Sequence, residues 1–177
     1  MKLNLGSGKS RFPNYKNVDI DPAVEPDYIA NLVEKLPFEA NSIEEVLLIH
    51  TIEHIQKQYH QNIYDEIYRI LSTDGRLILA YPEFEMVAKN WLEDKAGMRE
   101  FWGWAIYGRQ LSPSDFHVSL MYTPEVIDLL KSSGFKDFEI SQEPTQNFNT
   151  VVKCIKGIPL KTYEDSVGEY FFAKVGN

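Results

Sequence analysis

The sequence contains a single cysteine, Cys154, among 177 residues. A lone cysteine excludes an intrachain disulfide, and it also excludes a metal site built from several thiolates. Because chains without disulfides are typical of a reducing compartment, we expect a cytoplasmic protein.

Long apolar runs and positive charge are also scarce. The N-terminus has no apolar segment long enough for a signal peptide or a membrane anchor, so neither is expected. Asp and Glu number 26 against 18 Lys and Arg, and the resulting net charge of −8 argues against general nucleic-acid binding. The length and the ordinary composition predict a single domain over residues 1–177.

A glycine turn between two short apolar strands stands near the beginning of the chain. Leu3 and Leu5 predict a first strand, which the turn Gly6–Gly8 ends. The second strand carries Asp19 at its end. Glycines let a ligand approach the backbone closely, and an acid on the neighbouring strand can accept hydrogen bonds from a ribose diol. The stretch therefore suggests a nucleoside-containing ligand at the carboxyl ends of a parallel sheet.

The turn itself has several interpretations. A dinucleotide fingerprint would need a third glycine where Arg11 stands and an acid about 20 residues after Gly6, which is farther along than Asp19. A phosphate-binding loop would match Gly8-Lys9-Ser10, but it is excluded because its first glycine would fall at Leu3. A turn for S-adenosylmethionine cradles no polyphosphate and needs fewer glycines. A tight turn without any ligand is the remaining alternative.

Strand-like and helix-like patterns alternate along the rest of the chain. Apolar residues at helical spacing from Ile63 to Leu71 predict a helix that Asp74-Gly75 ends. Thr123 should cap a later helix that ends at Gly134. Further strands are predicted over 27–32, 46–49, 77–81, 138–140 and 151–155, and a helical segment over 84–107 with breaks near Gly97 and Gly103. This alternation indicates an α/β sandwich.

Six short motifs occur in a characteristic order over roughly residues 3–140. They are Leu3–Gly8, Asn17–Pro22, Leu36–Phe38, Ser42–His54, Glu66–Leu79 and Gly134-Phe135. With them the chain resembles the class I S-adenosylmethionine-dependent methyltransferases, in particular the short bacterial type that is methyltransferase type 11-like and has a minimal first helix. The resemblance implies a Rossmann-like three-layer sandwich, with a mostly parallel seven-stranded sheet and one antiparallel strand near the C-terminus. It also implies S-adenosyl-L-methionine as cofactor.

The same resemblance assigns the first cofactor contacts by position. Gly6, Ser7 and Gly8 correspond to the residues beside the methionine part of the cofactor. Asp19 corresponds to the acid that accepts the ribose hydroxyls, and Ile20 to the residue that packs on adenine.

Further contacts follow from positions later in the chain. Asp21 is a second candidate acid, and Asn31 and Leu32 stand where family members contact the adenine edge. His50 follows the fourth strand, at the position beside the transferred methyl group. Asn4 departs from the family pattern, because the first strand usually carries an acid there.

The pentapeptide from His50 to His54 also matches H-x-x-E-H, a zinc-protease pattern with two histidines four residues apart. Such a site would need a third ligand, for which Glu125 or His117 could serve, and its zinc would activate water. Against a protease, His50 ends a strand-like run. The alternative for Glu53 and His54 is a hydrogen-bonded pair that fixes the loop. We favour the methyltransferase interpretation, which requires no metal.

Methyl transfer to a hydroxyl or a protonated amine needs a general base. His117, in the loop over 108–122, is the first candidate and His50 is the second, because both titrate near neutral pH when unperturbed. Tyr107 and Phe116 are candidates for the wall of the acceptor pocket, and ordinary lid packing is the alternative for both.

The acceptor is expected to be a small molecule, a sugar or a lipid-linked compound. Residues 84–122 form a helical and loop insertion that could act as a lid over it. Aromatic residues in the tail from Lys161 onward suggest that the tail docks on the domain. The competing function is an S-adenosylmethionine-binding module without catalysis.

Overall fold

The protein is built on a seven-stranded sheet in a computed structural model, which describes residues 1–143 and 148–157. The strands are β1 (Lys2–Leu5), β2 (Tyr15–Asp19), β3 (Tyr28–Ile29), β4 (Ile43–Ile49), β5 (Leu71–Pro82), β6 (Phe135–Gln142) and β7 (Asn149–Lys156). Their order across the sheet is β3-β2-β1-β4-β5-β7-β6. Strand β7 is antiparallel to both neighbours and the other described pairs are parallel. The predicted sheet with one antiparallel strand is confirmed.

Within the described residues four α-helices accompany the sheet, namely α1 (His60–Ile70), α2 (Phe84–Leu92), α3 (Arg99–Tyr107) and α4 (Thr123–Ser133). Helix α1 connects β4 to β5, and α2, α3 and α4 follow one another between β5 and β6. Residues 6–14 join β1 to β2 through turns without a helix, as the short spacing and Pro13 predict. None of the helices in the described part of the chain is long and apolar enough to cross a bilayer.

The main core lies on one face of the sheet. The strand register places Leu3, Val46 and Leu77 side by side on β1, β4 and β5. Helix α1 packs Ile63 and Ile67 into the same cluster, and these side chains are almost completely buried. Because each buried aliphatic side chain contributes about 1.5–3 kcal/mol, α1 is firmly anchored. The loop before α1, which supplies several residues of the site described below, is fixed with it.

A row of polar side chains crosses the opposite face near the amino ends of the strands. Tyr15, Lys2, Glu45 and Arg76 are neighbours through the strand register. Glu45 Oε1 accepts hydrogen bonds from Lys2 Nζ at 3.0 Å and from the Tyr15 hydroxyl, and Glu45 Oε2 pairs with Arg76 at 2.8 Å. Burial opposes ionisation of Glu45, but the bonds from Tyr15 and Lys2 outweigh it and lower the pKa of this carboxyl. Burial and the bond to Glu45 raise the pKa of Tyr15 to about 12.

Helix α1 ends earlier than predicted. It stops at Ile70 rather than at Asp74-Gly75, because Leu71 is extended and already pairs with Ile43 of β4. Gly75 instead allows an irregularity in β5, since a Cβ at this position would lie 2.8 Å from the carbonyl oxygen of Ser72. Pairing with β4 therefore outweighs the helical pattern at this boundary.

The predicted helical segment 84–107 divides at one of its two glycines. The chain leaves the helix around Gly97, which has a φ of +64°. Gly103 lies inside α3 without a break. A glycine in a helix costs about 1 kcal/mol relative to alanine, and the burial of the neighbouring Trp102 against Phe148 offsets that cost.

Helix α4 begins at the predicted residue but has a different cap. Thr123 is its first residue, and its backbone N–H and hydroxyl both donate to Glu83 Oε2. The carboxylate of Glu83 thus takes the role predicted for the threonine hydroxyl. The helix ends at Gly134 with a φ of +103°, as predicted. The predicted docking of the tail from Lys161 concerns residues outside the described ranges.

Candidate active site

Two cavities lie at the carboxyl ends of β1, β2 and β4. The first has a volume of about 470 Å³, which is within the usual range for small-molecule sites. Its lining includes eight of the nine predicted cofactor residues, namely Gly6, Gly8, Asp19, Ile20, Asp21, Asn31, Leu32 and His50. The ninth, Ser7, lines the second cavity. The fold thus gathers these residues around one continuous opening.

The two glycines of the first turn have different local surroundings. Both have left-handed backbones, with φ of +62° at Gly6 and +49° at Gly8. A Cβ on Gly6 would lie only 2.1 Å from Cγ2 of Thr51, whereas a Cβ on Gly8 would meet no atom within 4 Å. Gly6 therefore permits close packing of the turn on the segment after β4. Gly8 leaves open space at the edge of the cavity.

Asp19 connects the turn to the end of β2. Its Oδ2 accepts a hydrogen bond from the Gly8 N–H at 2.7 Å, and its Oδ1 accepts one from the Asp21 N–H at 3.0 Å. A carboxylate has about four acceptor positions, so Asp19 can still accept hydrogen bonds from a ligand. Asp21 is exposed, and its Oδ1 accepts from the N–H of Ala23 at 2.8 Å.

Asn4 fixes the segment of the turn Gly6–Gly8 through hydrogen bonds of its side chain. It is 2% exposed, and its Nδ2 donates to Asn17 Oδ1 at 3.1 Å and to the carbonyl oxygen of Ser10 at 3.2 Å. The amide side chain that replaces the usual acid of the family thus uses both its N–H groups within the protein. It fixes the position of the turn relative to β2.

Asn31 and Leu32 lie on the first cavity in different ways. The side chain of Asn31 closes a local turn, with Oδ1 accepting from the Val33 N–H at 3.2 Å and Nδ2 donating to Glu34 at 3.1 Å. Leu32 is 8% exposed and packs in the main core. Across the cavity Ile20 is 62% exposed, which leaves its side chain available for contact with a flat apolar ring.

The second cavity has a volume of about 650 Å³ and shares Gly6, Gly8, His50 and His54 with the first. Helix α3 contributes Phe101, Trp104 and Ala105 to its lining, and the segment before β7 contributes Phe148. His117, the first candidate for the base, also lines this cavity. Tyr107 and Phe116, the two predicted wall residues, are absent from this lining and are 62% and 43% exposed.

His50 lies where the two cavities meet. Its Nδ1 faces Glu53 Oε1 at 3.3 Å, and its Nε2 lies 3.4 Å from Asn149 Nδ2 and 3.8 Å from Glu143 Oε2. Burial lowers the pKa of His50, but the carboxylates of Glu53 and Glu143 raise it by more, so the pKa lies above its usual value. With a φ of +49°, His50 ends β4 in a left-handed backbone conformation.

The zinc-protease pattern does not form on a helix. His50 precedes a short 3-10 turn, Ile52–His54, so the two histidines of the pattern do not share a helical face. Glu125, one of the proposed third ligands, pairs with Lys57 at 2.6 Å. His117 does reach the segment, because its ring lies 4.8 Å from the ring of His54.

Several residues of this site were not predicted as functional from the sequence. Thr51 closes the glycine turn, Trp104 lines the second cavity, and Asn149 comes from β7 to contact His50. Glu53 is 1% exposed, although the sequence suggested a pair with His54. The sequence signal for Glu53 was its place in the H-x-x-E-H pattern. Thr51, Trp104 and Asn149 had no such signal, because their contacts are with residues distant in the sequence.

The residues at the first cavity fit a nucleoside-bearing sulfonium cofactor. Asp19 has free acceptor capacity, Ile20 presents apolar surface, and the open space beside Gly8 admits a ligand against the backbone. The shared wall at Gly6 and His50 joins this cavity to a second one, in which a methyl acceptor could bind.

Comparison with known proteins agrees with this geometry. Residues 5–79 match the family model described as Methyltransferase domain. A methyltransferase structure from Thermotoga maritima aligns with a TM-score of 0.64 at 19% identity, over 88% of this chain and 81% of that chain. One from Methanosarcina mazei gives 0.65 at 14% identity, over 89% and 92%. Both carry the description SAM-dependent methyltransferase. No curated protein matches the sequence significantly.

The two kinds of similarity support each other. The family match covers the segment that forms the first cavity up to β5, and the structural alignments extend the same fold over most of the chain. S-adenosylmethionine is the cofactor of this fold family. Over residues 5–79 the chain matches the Methyltransferase domain family, and its fold is that of S-adenosylmethionine-dependent methyltransferases.

Proposed function

We propose that this methyltransferase transfers a methyl group to a hydroxyl or amine of a small-molecule or glycan-type acceptor bound in the second cavity. The observation that carries the proposal is the position of His50, which lines both cavities at once. A group at that boundary can reach the acceptor while the cofactor occupies the neighbouring space. The lipid-linked acceptor of the sequence-based prediction is a further outcome of the test below.

Each part of the first cavity has a role in this proposal. Asp19 accepts the ribose hydroxyls, Ile20 packs against the adenine ring, and the turn Gly6–Gly8 lies along the methionine part. Asp21 and Asn31 shape the rim around the nucleoside. When bound, S-adenosylmethionine supplies an electrophilic methyl group on sulfur. The contribution of the protein is to align the acceptor atom with it, which in general is worth several kcal/mol.

His50 acts as the general base in this proposal. Its Nε2 lies near Asn149 and its Nδ1 near Glu53 Oε1, so side chains on both sides restrict the orientation of the ring. A base held in this way removes the proton of the acceptor as the new bond to the methyl group forms. His117 lines the second cavity but not the first, which makes it the less favourable candidate.

The second cavity suits an acceptor with a ring and several polar groups. Trp104 on α3 is 47% exposed and Phe12 at the rim is 38% exposed, and both line the cavity together with Arg109. Aromatic side chains beside a few hydrogen-bonding groups are typical of small-molecule sites, and they offer both an apolar face and polar contacts to a ring-shaped acceptor. The segment 84–122, which contains α2 and α3, would then form the outer wall of the acceptor pocket.

The proposal is tested by measuring S-adenosylhomocysteine release with a panel of acceptors. The panel should contain free sugars, nucleotide sugars, phenolic compounds, lipid-linked glycans and tRNA. Turnover with a soluble compound from the first three groups is expected. Turnover with tRNA alone would refute the acceptor class, and cofactor binding without turnover on any acceptor would indicate a binding module instead.

A further inference from the structure

A cluster of three potential metal ligands lies beside the second cavity. Glu53, His54 and His117, here called the Glu-His-His cluster, each bring one ligand atom within 4.8 Å of the others. All three residues line the second cavity. They come from the turn Ile52–His54 and from the loop before α4, two segments that the sequence separates widely.

Both histidines present the nitrogen that a metal needs. Nδ1 of His54 lies 2.9 Å from the carbonyl oxygen of Phe116, and Nδ1 of His117 lies 3.1 Å from that of Ala105. A carbonyl oxygen only accepts hydrogen bonds, so each Nδ1 carries a proton, and in the neutral ring Nε2 is then the nitrogen with a free lone pair. Metal-bound histidines usually have this arrangement, in which the second nitrogen donates to a carbonyl or a carboxylate.

Glu53 provides an independent observation. Its side chain is almost fully buried, and Oε1 faces His50, but Oε2 is buried with no hydrogen-bond partner among the described residues. Leaving a buried carboxylate oxygen without a partner costs about 1–3 kcal/mol or more. Glu53 therefore joins the two imidazoles as a buried carboxylate with spare acceptor capacity, a donor set that suits a cation.

The backbone holds the cluster in place. The N–H groups of Val118 and Ser119 both donate to the carbonyl oxygen of Glu53, at 2.9 and 3.1 Å. The Ser119 hydroxyl donates to the carbonyl oxygen of Ile55 at 2.6 Å. These bonds tie the turn that carries Glu53 and His54 to the loop that carries His117. The three ligands are therefore positioned by the fold before any ion binds.

We propose that the Glu-His-His cluster binds a divalent transition-metal ion of the Zn²⁺ type. Two imidazoles and one carboxylate form a known three-ligand set for zinc and leave a position open for water or another ligand. In this protein the open position would face the second cavity. Ligand atoms around tetrahedral zinc lie about 3.4 Å apart, so side-chain shifts of about 1 Å close the cluster around the ion. Imidazole ligands favour transition metals over Mg²⁺ and Ca²⁺.

The test uses the full chain, freed of metal with a chelator and titrated with Zn²⁺ in competition with a chromophoric chelator. We expect one high-affinity Zn²⁺ per chain. The variants Glu53→Gln, His54→Gln and His117→Gln should each weaken the affinity by at least tenfold, an effect on the order of that seen when even outer-shell partners of a metal are changed. Co²⁺ in place of Zn²⁺ should give the intense visible absorption of a four- or five-coordinate site.

Two control variants distinguish this site from Zn²⁺ binding by neighbouring histidines. His60→Gln removes a histidine whose Nε2 bonds to the Ile55 carbonyl, and Zn²⁺ affinity should stay unchanged in it. His50→Asn removes the contact between His50 Nδ1 and Glu53 Oε1 but removes no ligand, so it should weaken Zn²⁺ binding less than His117→Gln does. Absence of stoichiometric Zn²⁺ binding to the wild type would overturn the proposal. A site that is lost in His50→Asn and kept in His117→Gln would overturn it as well. The wild-type Co²⁺ spectrum reports the coordination geometry, and the variants identify the ligands.

Discussion

Two glutamates, each at most 4% exposed, occupy opposite ends of the molecule and have opposite surroundings. Glu45, at the amino end of the sheet, uses both oxygens, which contact Lys2, Tyr15 and Arg76. Glu53 lies just beyond the carboxyl end of strand β4. One of its oxygens faces His50, and the other has no partner among the described residues. The paired carboxylate of Glu45 serves the fold, whereas Glu53 combines an unpaired oxygen with two neighbouring imidazoles, a set that a ligand could complete.

We expect the largest loss of activity from a substitution of His50, whose Nδ1 faces Glu53 Oε1. In the variant His50→Asn we expect kcat to fall by about 10²–10⁴-fold, because general-base catalysis contributes that much. The affinity for S-adenosylhomocysteine, measured by calorimetry, should change little. An unchanged kcat would contradict the role of His50 as the general base at the boundary of the two cavities.

Asp19 is a third carboxylate to compare with Glu45 and Glu53. Its two oxygens accept from backbone N–H groups rather than from positively charged side chains. Asp19→Ala should weaken S-adenosylhomocysteine binding by about 100-fold, since hydrogen bonds to a charged group contribute about 1.5–3 kcal/mol each. The matched variant Asp21→Ala removes an exposed acid two residues away and should have a much smaller effect. Equal losses in the two variants, measured by calorimetry, would argue against Asp19 as the ribose anchor.

The two glutamates can be compared directly through their glutamine variants. Glu45→Gln removes the charge that Lys2 and Arg76 share, and we expect the free energy of unfolding to fall by about 2 kcal/mol. Glu53→Gln keeps a polar contact with His50 and removes a buried carboxylate that has one unpartnered oxygen, so it should cost less than about 1 kcal/mol. Urea denaturation measures both values. A larger loss in Glu53→Gln would reverse the assignment of structural and functional roles.

The hydrogen bonds and ion pairs of Glu45 with Lys2, Tyr15 and Arg76 also predict that stability depends on pH. The pKa of Glu45 is lower in the folded protein than its usual value, so its contribution is complete above the unfolded pKa of about 4.3. This contribution is lost as the pH falls through the folded pKa. The stability difference between wild type and Glu45→Gln should therefore be constant near neutral pH and shrink in acid. Denaturation curves recorded from pH 7 downward test this, and a difference that grew in acid would contradict it.

The smallest expected effect lies on the wall of the second cavity. Trp104→Ala should raise the KM for the acceptor by about 3–10-fold, which corresponds to the contribution of one aromatic contact. Phe116→Ala serves as the control, because Phe116 lies outside the lining of that cavity. If KM rose in Phe116→Ala but not in Trp104→Ala, the acceptor would contact Phe116, as predicted from the sequence, and not Trp104.

The residues predicted for the first cavity lie together more completely than the residues predicted for the wall of the second cavity, and the reason is chain distance. Gly6, Asp19 and Asn31 lie within one short stretch, so strand and turn patterns alone place them near one another. The second cavity combines α3, the loop at His117 and the segment at Phe148. Such contacts depend on how α2 and α3 pack, and no local pattern encodes that. The same holds for the end of α1, where pairing of Leu71 with β4 decides the boundary.

The order of strands in the sheet has a consequence for synthesis on the ribosome. Strand β7 inserts between β5 and β6, and within the described residues β6 pairs with β7 alone. Chains emerge with the N-terminus first, so the segments that form the cavity around Gly6 and Asp19 leave the ribosome long before β7. Phe148 and Asn149, which complete the other cavity, arrive only with that strand. A nascent chain thus exposes most residues of the first cavity before it exposes the residues that complete the second.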